Sequence, residues 1–483
     1  MMNNLKKGRW GLAAAAATAF QLSAQEVVIP LTAADIFNRT TFNSVQPVLN
    51  TNGNSSWRYT GFIIWYWMVP PTVRSVSGNR FVQSGTGGAV LPAETLLWQL
   101  ASIGGSRPPF RSGDTLPDYQ SFSTADQNWY NPSAPSGNFN PGNVYFNFRI
   151  TPDRFAANTF RAGEYLMDVT HNYRGGGTSN NVTFSPANFR LRLSVPAALA
   201  WSAEVPVRSF DIPSLDFYRS AAAQGVSLGN TVLAGTVRSN LWASASPQIT
   251  FVSTKGTRAT RNIGIISLSS ADNRITPSPL ASSWKNITPS GLDVEPGNRT
   301  SFELRLQAPA ADLRRELFEA GTYTFRLSLQ VKAADNSLAA TQNADMTVRV
   351  PPLSEVKIAP ASREVSFRFN TAGDYRQGQS QTLPGHLVVS NNENFELYVR
   401  AAAPNLDAGG AASAIPSSVF EVSVGGSPVP LSVTPQKLLS NAQPVLDKAF
   451  DITYSIPPAA AQQLVTRDKR QYTARVMYSF TAL

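Results

Sequence analysis

Apolar and polar residues alternate along many short stretches of this chain. In residues 323–331, for example, Tyr, Phe, Leu, Leu and Val are separated by Thr, Arg, Ser and Gln. A period of two places the apolar side chains on one face of a strand, so that this face lies in a core and the other faces water. Such stretches occur throughout the chain, and they predict an all-β protein.

One motif occurs three times and organises these stretches. A tyrosine opens a strand-like stretch in each copy, and the pattern Phe-x-Ala-Gly-x comes directly before it in the first two copies; the tyrosines are Tyr165, Tyr323 and Tyr472. A strand-like stretch and a proline precede each tyrosine. Tyrosine at this place is typical of the tyrosine corner of β-sandwiches, in which its hydroxyl bonds to upstream backbone. We therefore interpret the three tyrosines as structural.

The long spacing between the tyrosines indicates that each copy is a whole domain. The length of 483 residues also predicts about three domains. Val-Pro pairs at Val195-Pro196 and Val350-Pro351 suggest the boundaries. The predicted organisation is a signal peptide over residues 1–24, followed by β-sandwich domains over 25–195, 196–352 and 353–483, of which the first is rich in aromatic residues.

The end of each domain allows two interpretations. Two strand-like stretches follow Tyr165 and Tyr323, whereas only one follows Tyr472. Either the third domain lacks a final strand, or that strand opens the following unit. Residues 25–30 end in Pro, as do the strands that end at Pro196 and Pro351. This similarity favours the second interpretation, in which the chain holds three complete units.

The N-terminal residues predict export. Lys6, Lys7 and Arg9 precede an Ala-rich apolar stretch that ends near Ala24, so cleavage is expected between Ala24 and Gln25. The apolar stretch is too short and too rich in Ala for a good membrane span, and no later stretch is suited to cross a bilayer. The chain has no Cys, which excludes both disulfides and a lipid-modified cysteine anchor. We expect a bacterial protein that is secreted to the periplasm or the cell surface.

The composition argues against several functional classes. The net charge is +10, or +7 from 38 basic and 31 acidic residues once the three signal cations are removed, and no cluster of Lys and Arg is interleaved with aromatics. Nucleic acid is therefore not an expected partner. With His171 and His386 in different domains and no Cys, no zinc site is expected. No nucleophile elbow or nucleotide-binding glycine pattern is present. We predict a protein without catalytic residues, metal or cofactor.

A long irregular segment in the first domain is the best candidate for ligand binding. Residues 104–143 are rich in Gly, Pro, Asn and Asp, and loops of this length are usually functional or disordered. Asp126, Asn128, Trp129 and Tyr130 combine flat apolar rings with hydrogen-bonding groups, the combination that a sugar site needs. The alternative is that Trp129 and Tyr130 fasten the loop to the sandwich, because aromatic residues usually bury most of their area.

The order of these features resembles the tandem immunoglobulin-like domains of bacterial exported surface and fimbria-type proteins. The features are Ser-Asn before an aromatic strand, a strand led by Pro, and Gly-x-Tyr at the start of a long alternating strand. The resemblance implies a structural or adhesive role at the cell surface, with other surface proteins or further copies of the chain as partners. The alternative is a carbohydrate-binding protein whose first domain faces a polysaccharide.

Overall fold

The structure is a computed structural model. It describes residues 25–49, 56–61, 70–85, 88–105, 110, 112–133, 142–173, 180–185, 187–220, 222–358 and 363–482. The predicted signal peptide, residues 1–24, lies outside the described residues. The all-β prediction is confirmed, because strands dominate the described chain and its α-helices have only five to seven residues each.

The first sheet pair contains the elements up to Val195. A seven-stranded sheet has the path β1-β13-β11-β4-β9 with β5 and β6 beside it, and a four-stranded sheet has the order β2-β10-β7-β8. Both sheets contribute to one hydrophobic core, which includes Leu191 from one sheet and Phe146 from the other. The elements are β1 (Gln25–Pro30), α1 (Ala33–Asn38), β2 (Phe42–Leu49), β3 (Ser56–Gly61), β4 (Thr72–Ser75), β5 (Arg80–Gln83), β6 (Val90–Pro92), β7 (Leu97–Ile103), β8 (Gln120–Ser121), β9 (Gln127–Asn128), β10 (Val144–Ile150), α2 (Pro152–Ala157), β11 (Gly163–Asn172), β12 (Asn180–Ser185) and β13 (Asn188–Val195).

The second sheet pair repeats this arrangement. Its sheets have the orders β14-β16-β23-β20-β21 and β15-β25-β24-β17-β22, the latter with β18 and β19 attached. The elements are β14 (Leu199–Ala203), β15 (Ser209–Asp211), α3 (Leu215–Arg219), β16 (Gln224–Gly235), β17 (Ser239–Ala245), β18 (Gln248–Ser253), β19 (Arg258–Asn262), β20 (Ser267–Ser270), β21 (Ser278–Pro279), β22 (Lys285–Asn286), β23 (Arg299–Ala308), α4 (Ala310–Glu316), β24 (Gly321–Ala333) and β25 (Ala339–Val350).

The third sheet pair has a smaller second sheet. Its sheets have the orders β26-β27-β34-β31-β32 and β33-β28-β35. Leu387 and Leu397, one from each sheet, belong to the same core. The elements are β26 (Ser354–Ile358), α5 (Ala372–Gln377), β27 (Gln379–Asn391), β28 (Phe395–Ala401), β29 (Asn405–Asp407), β30 (Ala412–Pro416), β31 (Glu421–Ser423), β32 (Val429–Pro430), β33 (Gln436–Ala442), β34 (Val445–Ile456), α6 (Pro458–Gln463) and β35 (Val476–Ala482).

The described chain divides into two compact units. The first contains the residues up to Ala200 together with the segments Ala234–Arg238 and Asp293–Thr300, and the second contains the remainder. The second unit therefore includes most of the second sheet pair and all of the third. The successive sheet pairs match tandem immunoglobulin-like sandwiches, whereas the domain boundaries at 196 and 352 stay a prediction.

Within the second unit, Arg219 connects the second sheet pair to the third. Its guanidinium group donates hydrogen bonds to Asp447, at 2.8 Å, and to Glu355, and it also contacts Ser390. These bonds hold the pKa of Asp447 below its usual range and raise the pKa of Arg219. The side chain of Arg219 is only 25% exposed, so this ion pair is screened less than a surface pair.

Each repeat tyrosine bonds to the backbone four residues upstream. The hydroxyl of Tyr165 accepts from the amide of Arg161 at 3.1 Å, and that of Tyr323 donates to the carbonyl of Glu319 at 2.8 Å. Tyr472 donates to the carbonyl of Asp468 at 3.1 Å. This is the bond of a tyrosine corner. Tyr165 and Tyr323 are fully buried, whereas Tyr472 is half-buried.

A neighbouring strand explains why only two of the motifs contain glycine. Gly321 has φ of +154°, and a Cβ atom there would lie 2.3 Å from the carbonyl oxygen of Val252 in the adjacent strand β18. Gly163 has φ of +138°, and a Cβ atom there would lie 2.7 Å from the side-chain amide nitrogen of Gln83 in β5. In the third motif, Arg470 stands in place of the glycine, two residues before Tyr472. No described strand pairs with Arg470, so a side chain is tolerated there.

The pairing of the late strands corrects the interpretation that the chain holds three complete units. Strand β13 pairs with β11 along its length, and β25 pairs with β24, so each last strand belongs to the sheet of its own tyrosine strand. Strand β1 pairs parallel with β13, also inside the first sheet pair. In the described part of the third sheet pair, no strand takes the corresponding place beside β35. Similarity of the strand ends at Pro was misleading because sheet membership is decided by distant residues.

The corner bond predicts a difference between two conservative substitutions. We expect Tyr323→Phe to lower the free energy of unfolding by about 1 kcal/mol, because it removes the hydrogen bond that the hydroxyl of the buried Tyr323 donates to the carbonyl of Glu319. Tyr472→Phe, where water reaches the half-buried hydroxyl, should have a smaller effect. Urea unfolding of both variants measures this, and equal unfolding midpoints for Tyr323→Phe and the wild type would contradict the expectation.

Candidate functional site

The structure places Trp129 in the core of the first sheet pair. Its side chain is fully buried, and its ring meets those of Phe146 at 5.6 Å and His171 at 5.2 Å in edge-on geometry. Its amide donates to the carbonyl of Pro71 at 2.9 Å, which continues the pairing of β9 with β4. Trp129 thus fastens the long segment to the sheet.

The three neighbouring residues lie in different surroundings. Tyr130 is 3% exposed and packs edge-on against Phe110 at 5.5 Å. Asp126 accepts from the amide group of Asn172 at 3.2 Å and lies 3.9 Å from Arg74. Asn128 is exposed.

The four residues are adjacent but do not form an exposed aromatic surface. A ring that stacks on a sugar must present a face to solvent, and in this structure Trp129 and Tyr130 do not. Their burial is what the alternative interpretation, in which they fasten the loop, requires. Their contact with a ligand stays a prediction.

A different candidate site lies at the edge of the third sheet pair. The strand that follows the corner tyrosine has a neighbour on each side in the first two sheet pairs: β11 lies between β13 and β4, and β24 lies between β25 and β17. In the described residues, β35 pairs with β28 alone. Its far edge therefore presents backbone N–H and C=O groups without a strand partner.

The inward side chains of β35 are only partly covered. Val476, Tyr478 and Phe480 pack against the core of the third sheet pair but are half-buried. Six residues after the corner tyrosines, Tyr478 corresponds to His171 and Leu329, which are 3% and 1% exposed. The additional exposure is what the missing neighbouring strand would produce.

An extended segment before α5 packs against the same core as β35. Residues 363–370 alternate between exposed and half-buried side chains, and the half-buried ones are Val365, Phe367 and Phe369. The segments at the same place in the chain order, β1 and β15, pair parallel with the last strands β13 and β25. Residues 363–370 have the alternation of a strand but, in the described chain, no strand partner. We call the site between them and β35 the open edge.

The open edge has the chemistry of a strand-accepting site. Unpaired backbone groups form a template for another strand, and half-buried apolar side chains offer contacts to every second residue of that strand. Sequence analysis recognised β35 as the last strand but did not recognise residues 363–370. The alternating Val-Ser-Phe-Arg-Phe pattern is visible there, but only the structure shows that it lacks a partner.

Other described residues form further edge strands, such as β2, β14 and β33, but none of these edges follows a corner tyrosine. In these residues, no group of three or more His, Asp or Glu could hold a metal ion. No described helix has the length and apolar character of a membrane span. A groove of about 520 Å³ in the second unit is lined by residues that include Asp211 and Arg349, which lie 3.9 Å from each other.

Comparison with known proteins gives structural matches only. No family model matches the sequence, and no curated protein matches it. One matching structure is CfaE, the adhesive subunit of CFA/I fimbriae of enterotoxigenic Escherichia coli, with 10% identity, a TM-score of 0.28, and coverage of 68% of this chain and 98% of that one.

Two further matches come from structures that contain tip adhesins. A chain of the CsuC–CsuE chaperone–tip adhesion subunit complex from Acinetobacter baumannii has 14% identity and a TM-score of 0.29, over 58% of this chain and 99% of that chain. The CupB6 tip adhesin of Pseudomonas aeruginosa has 10% identity and a TM-score of 0.21, over 64% and 98%. These are proteins of the kind that the sequence features resemble.

The buried His171 predicts a pH dependence. Burial lowers its pKa from 6.5 to about 3, and its ring stacks on Phe189 at 4.6 Å. Because the unfolded chain binds the proton first as the pH falls, stability is full above about pH 6.5 and decreases towards pH 3. Between pH 7 and 4.5, we expect the wild type to lose roughly 2–3 kcal/mol more than His171→Phe.

Hydrogen exchange of peptides from β11 measures this difference in the first sheet pair alone. The variant serves as the control for carboxylates that titrate in the same range. An identical pH dependence in both proteins would show that folding does not lower the pKa of His171.

Proposed function

We propose that this chain is an exported, non-catalytic surface protein of structural or adhesive type that accepts a β-strand from another polypeptide at the open edge. The observation that carries the proposal is the unpaired far edge of β35 beside half-buried Phe480, Tyr478 and Val476. The predicted signal peptide and the tandem sandwiches support export and a surface location.

The second sheet pair contains an example of a strand in the corresponding place. In the second sheet pair, β25 pairs with β24 over twelve residues and parallel with β15 on its other side. Its inward residues, Gln342, Ala344, Met346 and Val348, are each at most 4% exposed. A strand with this alternation would pair with β35 on one side and with residues 363–370 on the other.

The energy of such an addition comes from two sources. Main-chain hydrogen bonds supply affinity, while the alternate side chains that enter the site supply specificity. Covering the half-buried apolar residues adds roughly 25 cal/mol for each Å² removed from water. An uncovered edge of this kind otherwise promotes aggregation, so a partner strand also protects the folded chain.

The test uses a synthetic peptide with the sequence of residues 339–350, which fills the equivalent place in the second sheet pair. We expect the labelled peptide to bind the full chain in fluorescence anisotropy, and a scrambled peptide to bind much more weakly. Phe367→Ser should weaken binding about tenfold, equal to about 1.4 kcal/mol, because its ring lines the site. Arg368→Ser, at the exposed neighbouring position, should leave binding nearly unchanged.

Two outcomes would overturn the proposal. One is a folded chain that binds neither peptide. The other is equal affinity of the Phe367→Ser and Arg368→Ser variants, which would place the peptide elsewhere. Sedimentation velocity tests whether a second copy of the chain fills the open edge. A dimer in which the amides of β35 are protected from hydrogen exchange would show that the chain pairs with itself and that the proposed partner is wrong.

A further inference from the structure

The strand pairings align the third sheet pair with the second, residue by residue. In the second, Ala245, Ala243 and Leu241 of β17 lie opposite Leu327, Leu329 and Val331 of β24. In the third, Ala401, Val399 and Leu397 of β28 lie opposite Val476, Tyr478 and Phe480 of β35. Tyr478 therefore occupies the place of Leu329, in agreement with the spacing from the corner tyrosines.

The strand beside Leu329 places a polar residue at this point. Leu329 pairs with Gln342, which is 4% exposed although its side chain is an amide. Its oxygen accepts from the amide of Val205 at 3.0 Å, and its nitrogen donates to the hydroxyl of Thr231 at 3.3 Å. In the first sheet pair, the amide of His171 bonds to the carbonyl of Ala187, a small residue. Neither strand places a large apolar side chain here.

In the third sheet pair, a chain of hydrogen bonds ends at Tyr478. His386 of β27 is 2% exposed, and its Nε2 lies 2.9 Å from the hydroxyl of Tyr454. That hydroxyl lies 2.5 Å from the hydroxyl of Tyr478. Burial raises the pKa of Tyr454 and Tyr478 and lowers that of His386, so all three groups are neutral at physiological pH. The chain thus connects both sheets and ends on the strand of the open edge.

The hydroxyl of Tyr478, at the end of this series of hydrogen bonds, can form one more hydrogen bond in every arrangement of the protons. If Tyr454 donates to His386, then Tyr478 donates to Tyr454 and keeps its lone pair for a donor. If His386 donates, Tyr454 either donates to Tyr478, whose proton then seeks an acceptor, or accepts from Tyr478, whose lone pair then stays free for a donor. A primary amide offers both a donor and an acceptor and satisfies either arrangement.

We propose that the strand which enters the open edge carries a glutamine or asparagine at the residue paired with Tyr478, with apolar residues two positions to either side. This inference rests on the proposed function. It specifies the partner beyond alternation, because a polar side chain at any other inward position would meet the apolar Phe480 or Val476. The pairing of the amide side chain with Tyr478 therefore fixes the register of the strand, because a shift by two residues moves the amide away from the tyrosine.

The test compares three versions of the 339–350 peptide on the full chain. The first has the native sequence, the second has Leu in place of Gln342, and the third exchanges Gln342 with Ala344. We expect the second and third to bind about tenfold more weakly than the first. In the Tyr478→Phe chain, the native peptide and the Leu peptide should bind within about twofold of each other.

Each result decides one claim. Binding of none of the peptides to the folded chain would refute the proposed function itself. Equal or tighter binding of the Leu peptide to the wild-type chain would refute the polar register while leaving strand addition intact. If Tyr478→Phe does not fold, Tyr454→Phe removes the protein partner of the Tyr478 hydroxyl, and the preference for glutamine should be kept or increased. Equal binding of the native and Leu peptides to Tyr454→Phe would refute the role of the Tyr478 hydroxyl.

Discussion

The backbone of the strand after each corner tyrosine must find hydrogen-bond partners on two sides, and the rest of each sheet pair is arranged around this requirement. Strands β11 and β24 satisfy this requirement because each has a neighbouring strand on both sides. The last strands, β13 and β25, in turn pair on their other side with the parallel strands β1 and β15. Where both sides are paired, the inward residues of the central strand are almost fully buried. Where one side is open, at β35, the corresponding residues are half-buried and even the corner tyrosine is less covered.

Local features of this architecture could be predicted from the sequence. The alternation in residues 323–331 and the position of Tyr323 are short-range signals, since strand periodicity and the corner bond involve residues within a few positions. The glycine before Tyr323 could be recognised but not explained, because its cause is the carbonyl of Val252, about seventy residues earlier in the chain.

Non-local features could not be predicted. The ends of β1, β13 and β25 look alike in sequence, yet only pairing across the sheet shows that β13 belongs with β11 and not with the following unit. Similarly, Trp129 beside Asp126 and Asn128 fits a ligand site as well as a buried anchor, and the decision depends on Phe146 and His171, which face it from other strands. The sequence gives no sign that Tyr454 and Tyr478 are in contact. Their hydroxyls meet only because β34 and β35 belong to the two sheets of one core.

The polar chain at Tyr478 also changes what the open edge demands of a partner. A purely apolar edge would accept any alternating strand, in any register that a shift by two residues allows, and such tolerance favours aggregation. A strand with leucine at this point leaves the remaining hydrogen-bonding capacity of the Tyr478 hydroxyl unused, which costs about 1 kcal/mol and offsets much of what the added apolar contact gains. Specificity of this kind arises from penalising wrong partners as much as from rewarding the right one. The hydrogen bonds that link His386, Tyr454 and Tyr478 therefore restrict the register of a strand at the open edge. Gln342 has the same role in the second sheet pair, where β25 already fills the corresponding place. Apolar packing alone would allow several registers.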